Sequence, residues 1–421
     1  TIRKDLRMNF AIFTLGCKTN QYESELMRES LISAGYSEVN FKDMADIYIV
    51  NSCVVTEKAE RETRKALNEA IRKNPNALII LTGCYVKLHD EDRISRVYFY
   101  RGAKSKIADF IKTGIEAKDG EVERIESFLE RSRAFVKIEE GCNNFCTYCI
   151  VPFVRGYEIK SKKKDLVINE VKRLVDKGFK EIVLTGTEIG KFGEDIGITL
   201  VDLIRDLKKI DGLKRLRISS IHPKHVSDEL IDEFKEPYAL TPHMHISLQS
   251  GDNEILKKMN RGYTREDFLK IVEKLRKIDP DFSISTDIIV GFPFETENAF
   301  LNSLSIIREV TFSKVHVFRY SKRPFTPAFY FKENVPEITK TVRSERTRDF
   351  ANAIAKEFKE RFLGRVVEVL VEEDNNGKLT GFTPHYLKVE FRGDVPINSF
   401  ANVKITDVSP DVMFGELVFL T

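Results

Sequence analysis

The sequence predicts an α/β protein with three successive parts: a doubly wound parallel sheet, a partial (β/α)6 barrel and a small antiparallel β-barrel. Apolar strands first alternate with amphipathic helices, and six more strand–helix units follow. The chain then ends in short alternating strands that are broken by turns. A chain of 421 residues has room for several domains. We place their boundaries at residues 8–125, 128–358 and 361–421.

The first part contains three apolar runs, "FAIFTL", "ADIYIVN" and "ALIILTG", which have the Ile, Leu and Val content of buried parallel strands. Between them, "NQYESELMRESLISAG" and "TEKAERETRKALNEAIRKN" have the apolar spacing of amphipathic helices. This βαβαβ order predicts a doubly wound sheet, which binds ligands at the carboxyl ends of its strands. A charged stretch over residues 112–133 predicts a linker to the next domain.

The second part has six strand candidates: "AFVKIEE", "EIVLTGT", "RLRISSI", "HMHISLQ", "SISTDIIVGF" and "SKVHVFRYS". Six units are more than a small open sheet needs, so they predict a barrel or partial barrel. The charged helix "TKTVRSERTRDFANAIAKEFKERFLG" leads into the third part. There "RVVEVLVEE", "KLTGFTPHYLKVEF", "FANVKITDV" and "GELVFLT" predict the strands of a small barrel.

Composition excludes several functional classes. The formal net charge is +3, so bulk charge does not indicate a nucleic-acid binder, and an RNA site has to come from local clustering. No apolar run approaches the length of a bilayer span, and we expect a cytoplasmic protein without a membrane partner. Six cysteines would allow disulfides, but the absence of a secretion signal and the uneven spacing favour metal or redox chemistry.

Three of the cysteines stand far apart, and each follows a predicted strand. Cys17 comes after "AIFTLG", Cys53 after "IYIVNS" and Cys84 after "LIILTG". Because the carboxyl ends of parallel strands gather at one edge of a sheet, we expect the three thiols to lie close together. The alternative is that all three are buried and serve only as small apolar side chains.

The other three cysteines crowd into one loop. Cys142, Cys146 and Cys149 form a C-x3-C-x2-C pattern in "EGCNNFCTYC", with Tyr148 before the last cysteine. Structural zinc closes its site with four ligands, and no fourth Cys or His stands nearby. The spacing therefore favours an iron–sulphur cube over zinc. Such a cube would have one iron without a protein ligand.

The loop pattern resembles that of the radical S-adenosylmethionine enzymes, and the chain as a whole resembles their methylthiotransferase family. The segments that carry this resemblance are "GCKTNQYESE", "VNSCVVT", "TGC", "CTYCIVPFVRG", "RISSIHP", "SLQSG", "MNRGYT", "DIIVGFP" and "GFTPHYLKV". The resemblance implies a central radical barrel and a terminal TRAM barrel. "GCKTNQYES" most resembles the branch that modifies threonylcarbamoyladenosine beside the tRNA anticodon. The alternatives are the branches that act on isopentenyladenosine in tRNA or on a ribosomal-protein aspartate.

The resemblance also implies two [4Fe–4S] clusters and S-adenosyl-L-methionine as cofactors. The loop cysteines would be catalytic, since S-adenosylmethionine chelates their open iron and is cleaved there to a radical. Cys17, Cys53 and Cys84 would bind the second cluster, which holds the sulphur to be inserted. We expect a monomer that takes electrons from a donor such as a flavodoxin or ferredoxin. A non-catalytic RNA-binding scaffold with structural metal is the alternative from another functional class.

Four barrel residues are candidates for binding S-adenosylmethionine. By the resemblance, Gly186 and Glu188 in "VLTGTEIG" face the methionine amine, although the segment alone reads as an ordinary glycine turn. Gln249 and Asp287 occupy strand positions that face the barrel mouth. Polar groups inside strands need partners, so contact with the cofactor and a structural hydrogen bond are both open for these two residues.

Local basic clusters are the candidates for binding RNA. Arg155 precedes the run "KSKKK", and we expect Arg155, Lys160, Lys162 and Lys163 to contact phosphates, against the alternative of a solvated face. Three residues extend the cluster: Arg343, Arg346 and Arg348.

The terminal barrel is acidic. Residues 361–421 contain six basic and nine acidic side chains, a net charge of −3, which suits a basic protein substrate as well as RNA. Three residues could still form a local RNA surface: Tyr386, Lys388 and Arg392. The chain also departs from the family, because Phe294 and Phe325 stand where the family usually has glycine. We expect these rings to narrow the loops around the mouth.

Overall fold

The structure is a computed structural model that describes residues 8–89, 96–117, 125, 132–236, 239–332 and 334–418. The predicted linker lies partly outside these residues, as does the boundary predicted between residues 125 and 128. None of the described helices combines the length and the apolar character that crossing a membrane requires. The helices are α1 (Lys18–Ser33), α2 (Glu57–Lys73), α3 (Ile107–Thr113), α4 (Val151–Arg155), α5 (Lys164–Asp176), α6 (Leu200–Leu207), α7 (Asp228–Asp232), α8 (Asn253–Lys258), α9 (Arg265–Ile278), α10 (Glu297–Val310) and α11 (Glu337–Glu360).

The amino-terminal domain is a parallel sheet with the strand order β2-β1-β3-β4-β5. Its strands are β1 (Asn9–Thr14), β2 (Ser37–Glu38), β3 (Ile47–Ser52), β4 (Leu78–Gly83) and β5 (Val97–Phe99). Every residue of β3 is buried, and separate apolar clusters cover the two faces of the sheet. The three predicted strands and the two predicted helices are confirmed. The edge strands β2 and β5 were not predicted.

The central domain is a partial barrel of six parallel strand segments in chain order. They pair as two sheets, β12-β10-β9-β6 and β11-β13-β14-β15, and the third and fourth segments each pass from one sheet into the other. Among the described residues no pairing joins β15 back to β6, so the barrel is open, as predicted. The strands are β6 (Arg133–Lys137), β9 (Glu181–Thr185), β10 (Arg215–Ile218), β11 (Ser220–Ile221), β12 (Ala239–Leu240), β13 (His243–Ile246), β14 (Ser283–Val290) and β15 (Lys314–Arg319), and a separate short pair is β7 (Glu139–Glu140) with β8 (Lys160–Ser161).

Helices cover the two edges of the open barrel. Helix α1 of the first domain packs against β6, and α11 packs against β15. The hydroxyl of Tyr22 on α1 donates to the Glu170 carboxylate on α5, at 3.0 Å. The first domain therefore lies along one barrel edge and adjoins the carboxyl ends of the barrel strands, where ligands bind.

The carboxyl-terminal domain is a closed barrel with the order β16-β17-β18-β20-β19. Its strands are β16 (Val366–Asn375), β17 (Lys378–Phe382), β18 (Lys388–Arg392), β19 (Phe400–Val408) and β20 (Met413–Leu417). The predicted run "KLTGFTPHYLKVEF" is two strands joined by a turn. Four of the five pairings are antiparallel, whereas β18 and β20 run parallel.

This small barrel docks at the amino-terminal end of the central strands. Arg215 at the start of β10 donates to the carbonyl of Phe382, at 2.8 Å. Tyr386 has a φ of 61° in the β17–β18 turn, stacks on Phe382, and has its ring centroid 4.5 Å from the Arg217 guanidinium. The expectation that Tyr386 stacks on RNA is therefore wrong, because its ring is used to dock the two domains.

Candidate active site

The three distant cysteines lie at the carboxyl ends of three adjacent strands. Cys53 directly follows β3, Cys84 directly follows β4, and Cys17 starts α1 after β1. Cys53 and Cys84 are buried, whereas Cys17 is exposed. Burial, together with the nearby sulphurs of Cys84 and Cys17, raises the pKa of Cys53 to about 11. The topology thus gathers the three thiols at one edge of the sheet.

In the loop around Cys17, the backbone at Gly16 lies close to Cys53. Gly16 has a φ of +101°, and a Cβ on it would lie 3.0 Å from the Cβ of Cys53, so a side chain at position 16 would intrude between the cysteines. The Asn20 amide donates to the carbonyls of Leu15 and Ser52, at 2.7 and 2.9 Å. These bonds tie the loop after β1 to the loop after β3, and so fix the position of Cys17 relative to Cys53.

Arg155 joins this site to the central domain. Its side chain is buried, pairs with Glu23 on α1 and lies 3.2 Å from Glu140 on β7. Burial alone would raise the pKa of Glu23, but Arg155 and Lys137 hold it below its ordinary value. Burial raises the pKa of Cys84, and the Arg155 guanidinium opposes that shift.

The expected phosphate contact of Arg155 is therefore wrong. Its guanidinium is already engaged by two carboxylates and by the side-chain oxygen of Asn20, at 2.5 Å. A buried cation with these partners has no face left for a tRNA phosphate. Arg155 instead holds the first domain against the cysteine loop.

The compact cysteines lie on a loop between β7 and α4 that backbone hydrogen bonds hold in place. The Cys142 amide donates to Gly156 at 3.0 Å, and the Thr147 amide donates to Met259 at 3.0 Å. Arg261 donates to the Cys146 sulphur at 3.1 Å and to the Ser247 carbonyl at 2.5 Å. A buried cation beside this sulphur stabilises its anionic form, which is the form that binds metal.

The three loop cysteines line a cavity of about 290 Å³. Among the predicted cofactor residues, Glu188, Gln249 and Asp287 line the same cavity. Val55 and Thr56, which closely follow Cys53 in the chain, form part of its wall. The cavity therefore lies between the two domains, and its polar groups converge on the cysteine loop.

Two buried acidic side chains, Glu188 in the cavity wall and Glu139 behind it, have raised pKa values. Burial raises the pKa of Glu188 to about 7 and that of Glu139 to about 8. The Glu188 carboxylate accepts from the His222 amide at 3.2 Å, and Glu139 accepts from the Glu188 amide at 2.8 Å. Gly186 does not line the cavity. A Cβ there would collide with the Glu139 carboxylate, so Gly186 provides the space for it.

Asp287 and Gln249 are joined through their backbones at the cavity wall. The Gln249 amide donates to the Asp287 carbonyl at 2.8 Å, and Gln249 has a φ of 75°. An Asp287 carboxylate oxygen lies 3.1 Å from Nε2 of His245, which keeps the pKa of Asp287 low despite burial. His245 is in turn 3.0 Å from Ser285. Asp287 thus pairs with His245 and also lines the cavity.

The remaining basic candidates fall into two groups. Lys160 and Lys163 are exposed, and Lys388 is half-buried on β18. Lys162 points inward and pairs with Glu170 at 2.8 Å, so its expected phosphate contact is wrong. Of the extending arginines, Arg343 is buried against Glu295, at 3.3 Å.

Phe294 and Phe325 both occupy left-handed backbone, with φ of 74° and 67°. This conformation explains why glycine suits these positions. Phe294 packs on Phe331, and Phe325 is 60% exposed beside Phe153. Neither ring lines the 290 Å³ cavity, so any narrowing would concern the surrounding loops and not the cavity wall.

The cysteines fit iron–sulphur cubes better than single metal ions. Among the described residues, no three His, Cys, Asp or Glu side chains are placed to share one ion. Thiolates on a cube each bind a different iron, so they stand further apart than the ligands of zinc. The loop site has a cavity beside its three sulphurs, and at the sheet site Gly16 leaves a space beside Cys53 that a side chain would fill.

Sequence reasoning missed three residues of the site. Glu139 precedes the cysteine motif and has no pattern of its own. Arg261 lies in "MNRGYT", a segment that carried the resemblance without a stated role. Arg319, at the end of β15, lines the cavity and could have been found only from its place at the carboxyl end of the last strand.

Comparisons with known proteins cover all three domains. The description "Radical SAM superfamily" matches residues 136–307, "Uncharacterized protein family UPF0004" matches residues 9–99, and "TRAM domain" matches residues 360–418. The chain is 41% identical to threonylcarbamoyladenosine tRNA methylthiotransferase MtaB of Thermotoga maritima, over 95% of each chain. It is 39% identical to tRNA-2-methylthio-N(6)-dimethylallyladenosine synthase of Clostridium novyi, over 97% of this chain and 96% of that one.

A solved structure supports the fold. The radical S-adenosylmethionine methyltransferase TsrM of Kitasatospora setae, solved with cobalamin and a [4Fe–4S] cluster, superposes with a TM-score of 0.54. The match covers 76% of this chain and 77% of that one at 15% identity, so it concerns the arrangement of the domains alone.

Proposed function

The chain belongs to the methylthiotransferase family of radical S-adenosylmethionine enzymes, and we propose that it adds a methylthio group to C2 of N6-threonylcarbamoyladenosine in tRNA. Identity to the MtaB enzymes over nearly the full chain supports this substrate. The observation that carries the proposal is the pair of three-cysteine sites: one lines the cavity, and Cys53 of the other lies two residues before Val55 in the cavity wall. An electron-transfer protein or an RNA-binding scaffold needs no such pair.

Six cysteines hold the two [4Fe–4S] clusters: Cys17, Cys53 and Cys84 in the sheet, and Cys142, Cys146 and Cys149 in the loop. When bound, the loop cluster with S-adenosylmethionine supplies the radical that activates the adenine C2–H, and the sheet cluster supplies the sulphur. Glu188, Gln249 and Asp287 position S-adenosylmethionine, because they line the cavity beside the loop cysteines.

The protein residues around the cavity orient and protect the reacting groups. Arg261 donates to the Cys146 sulphur and balances part of the negative charge there. Glu188, whose pKa is about 7, accepts from the backbone of His222 and keeps its other oxygen within 3.5 Å of the Asn144 amide. Val55 and Thr56 form the wall on the side of the first domain.

Further assignments accompany this function. The domains are residues 8–125, 128–358 and 361–421, and Lys160, Lys163 and Lys388 contact tRNA phosphates. A flavodoxin or ferredoxin supplies electrons to a monomeric enzyme in the cytoplasm, where its tRNA substrate is found. These assignments rest on the family and on the exposure of the lysines.

The substrate is tested with the anaerobically reconstituted enzyme, reductant, S-adenosylmethionine and two tRNAs. One tRNA carries threonylcarbamoyladenosine and the other isopentenyladenosine, and nucleosides are identified by mass spectrometry after digestion. We expect methylthiothreonylcarbamoyladenosine as the product. A methylthio product on isopentenyladenosine alone would assign the chain to the other tRNA branch.

A further inference from the structure

A second, larger space opens beside the reaction cavity. This groove has a volume of about 790 Å³ and runs between the start of α2, the end of β15 and one face of α11. Groove and cavity share a wall made of five residues: Thr56, Phe318, Arg319, Tyr320 and Ser321. A substrate that lies in the groove is therefore separated from the cavity by these five residues alone.

The groove carries an excess of positive charge. Three carboxylates line it, Glu57, Glu337 and Glu345. Six cations line it: Lys58, Arg61, Arg319, Lys322, Lys340 and Arg348. A cleft with this balance attracts an anionic polymer more strongly than the nearly neutral protein as a whole does.

Arg319 holds a special position among these cations because it is the one that also lines the cavity. Its Nη1 donates to the hydroxyl of Thr341 on α11, at 2.9 Å, which orients the guanidinium. Among the described residues no carboxylate pairs with it. The other arginine of the cavity wall, Arg261, is already committed to Cys146, Ser247 and Tyr263.

The shape of the substrate decides which anion meets Arg319. The adenine has to enter the cavity with C2 leading, so the ribose and its phosphates stay behind in the groove. The N6 substituent projects from the same side of the base as C2 and reaches the shared wall. A threonylcarbamoyl substituent ends in a carboxylate, which a guanidinium binds through two parallel hydrogen bonds.

We infer that Arg319 binds the carboxylate of the threonylcarbamoyl group, while the exposed groove cations take the phosphates of the anticodon loop: Lys58, Arg61, Lys322 and Arg348. This inference rests on the proposed function and adds the residue that would select the substrate. An isopentenyl group carries no charge and would leave the Arg319 guanidinium with the Thr341 hydroxyl but without an anionic partner. Selection would then follow from this one cation, because a site built to bind a charged group rejects the analogue that lacks it.

The test compares the binding of two tRNAs to the holoenzyme under anaerobic conditions at fixed salt. One tRNA carries threonylcarbamoyladenosine, and the other is the same tRNA with unmodified adenosine at that position. We expect the wild type to bind the modified tRNA about tenfold more tightly, since a charge-assisted hydrogen bond contributes about that much. Arg319→Gln should bind the two tRNAs with the same affinity, and Arg319→Lys should retain part of the preference for the modified tRNA.

Arg348→Gln is the matched control, because Arg348 lines the groove but not the cavity. We expect it to weaken both tRNAs by the same factor and to preserve the preference, as a phosphate contact would. If Arg319→Gln instead lowers the affinity for both tRNAs by the same factor, Arg319 binds phosphate and the inference is wrong. A preference that survives in Arg319→Gln would also overturn it.

The activity of the wild type separates this inference from the proposed function. Formation of the methylthio product on the threonylcarbamoyl tRNA, together with a preference that does not depend on Arg319, would contradict only the inference. If Arg319 does bind the threonylcarbamoyl carboxylate, Arg319→Gln should raise KM for that tRNA about tenfold and change kcat little, because the lost contact is a binding contact.

Discussion

The two cysteine sites of this protein are built in different ways. The loop site takes Cys142, Cys146 and Cys149 from eight consecutive residues, so its geometry depends on one loop and on the backbone bonds that fix it. The sheet site takes Cys17, Cys53 and Cys84 from three strand ends, so its geometry depends on the whole sheet. The loop site could be recognised as a motif, whereas the sheet site required a prediction of topology.

Their electrostatic surroundings differ as well. Beside the sheet site, Arg155 is matched by Glu23 and Glu140, whose pKa values are lowered. Beside the loop site, Arg261 has no carboxylate partner among the described residues, and the carboxyl groups of Glu139 and Glu188 have raised pKa values. The junction between the domains is therefore held by ion pairs, whereas the cavity wall carries the charged side chains of Arg261, Arg319 and Asp287.

The largest expected effect separates the roles of the two sites. Cys146→Ala should abolish both S-adenosylmethionine cleavage and methylthio insertion, because the loop cluster starts the reaction. Cys17→Ala should abolish insertion and leave cleavage, measured as 5′-deoxyadenosine released anaerobically in the presence of reductant. Full insertion activity in Cys17→Ala would show that the sheet site is not the sulphur donor.

The charge pairs at the junction should contribute strongly to stability. Arg155→Gln leaves Glu23 buried without its main partner, and we expect the free energy of unfolding in urea to fall by about 3–5 kcal/mol. The exposed Lys160→Gln is the matched control and should change it by less than about 0.5 kcal/mol. Equal effects of the two substitutions would mean that the ion pairs of Arg155 contribute nothing to the free energy of unfolding.

The same variant should alter the response to acid. The pKa of Glu23 is lower in the folded protein than its ordinary value of 4.5. Its contribution to stability is therefore complete above pH 4.5 and is lost as the pH falls toward the folded pKa. Wild-type stability should drop over this acidic range, measured by urea unfolding at a series of pH values, and Arg155→Gln should show a smaller drop.

Glu139 should make the stability of the protein depend on pH in the opposite direction. The pKa of Glu139 is raised to about 8 in the folded protein, so the folded state binds a proton that the unfolded state has released above pH 4.5. Stability should consequently decrease as the pH rises from 4.5 to 8. Glu139→Gln should remove this decrease and stabilise the protein at pH 8 by an amount on the order of 3 kcal/mol. No gain at pH 8 in urea unfolding would contradict a neutral Glu139.

The smallest expected effect concerns the redox properties of the loop site. Arg261 donates to the Cys146 sulphur, and a positive charge there favours the reduced cluster. Arg261→Gln should lower the reduction potential of the loop cluster by roughly 60 mV, the one-electron equivalent of about 1.4 kcal/mol. A redox titration followed by electron paramagnetic resonance checks this value. The signal of the sheet cluster serves as the internal control and should not shift.

The sequence predicted most of the architecture because apolar periodicity is strong in long elements. The short strands β2 and β5 were missed, since two or three residues at a sheet edge carry no recognisable pattern. The broken third barrel strand was predicted as one continuous strand, and the first part of the fourth, β12, was missed. Their passage from one sheet to the other depends on packing around the barrel, which local pattern does not show.

The site was predicted where geometry follows from spacing or topology, as with the cysteines. It was not predicted where the outcome depends on which way a side chain points. Arg155 and Lys162 were predicted to contact RNA phosphates, yet both turn inward to acidic partners on α1 and α5. Tyr386 looked like an RNA-stacking residue, and its left-handed turn directs it to Arg217 instead. Long-range partners of this kind are not encoded in neighbouring residues.

The most direct test of two clusters at two sites is the iron and sulphide content of the anaerobically reconstituted chain. The wild type should hold about eight irons and about eight sulphides, and a variant with Cys17, Cys53 and Cys84 all changed to Ala should hold about four of each, with cleavage of S-adenosylmethionine intact. A wild type that holds only about four irons, all of them lost in Cys146→Ala, would contradict the account and reduce the sheet site to three buried cysteines.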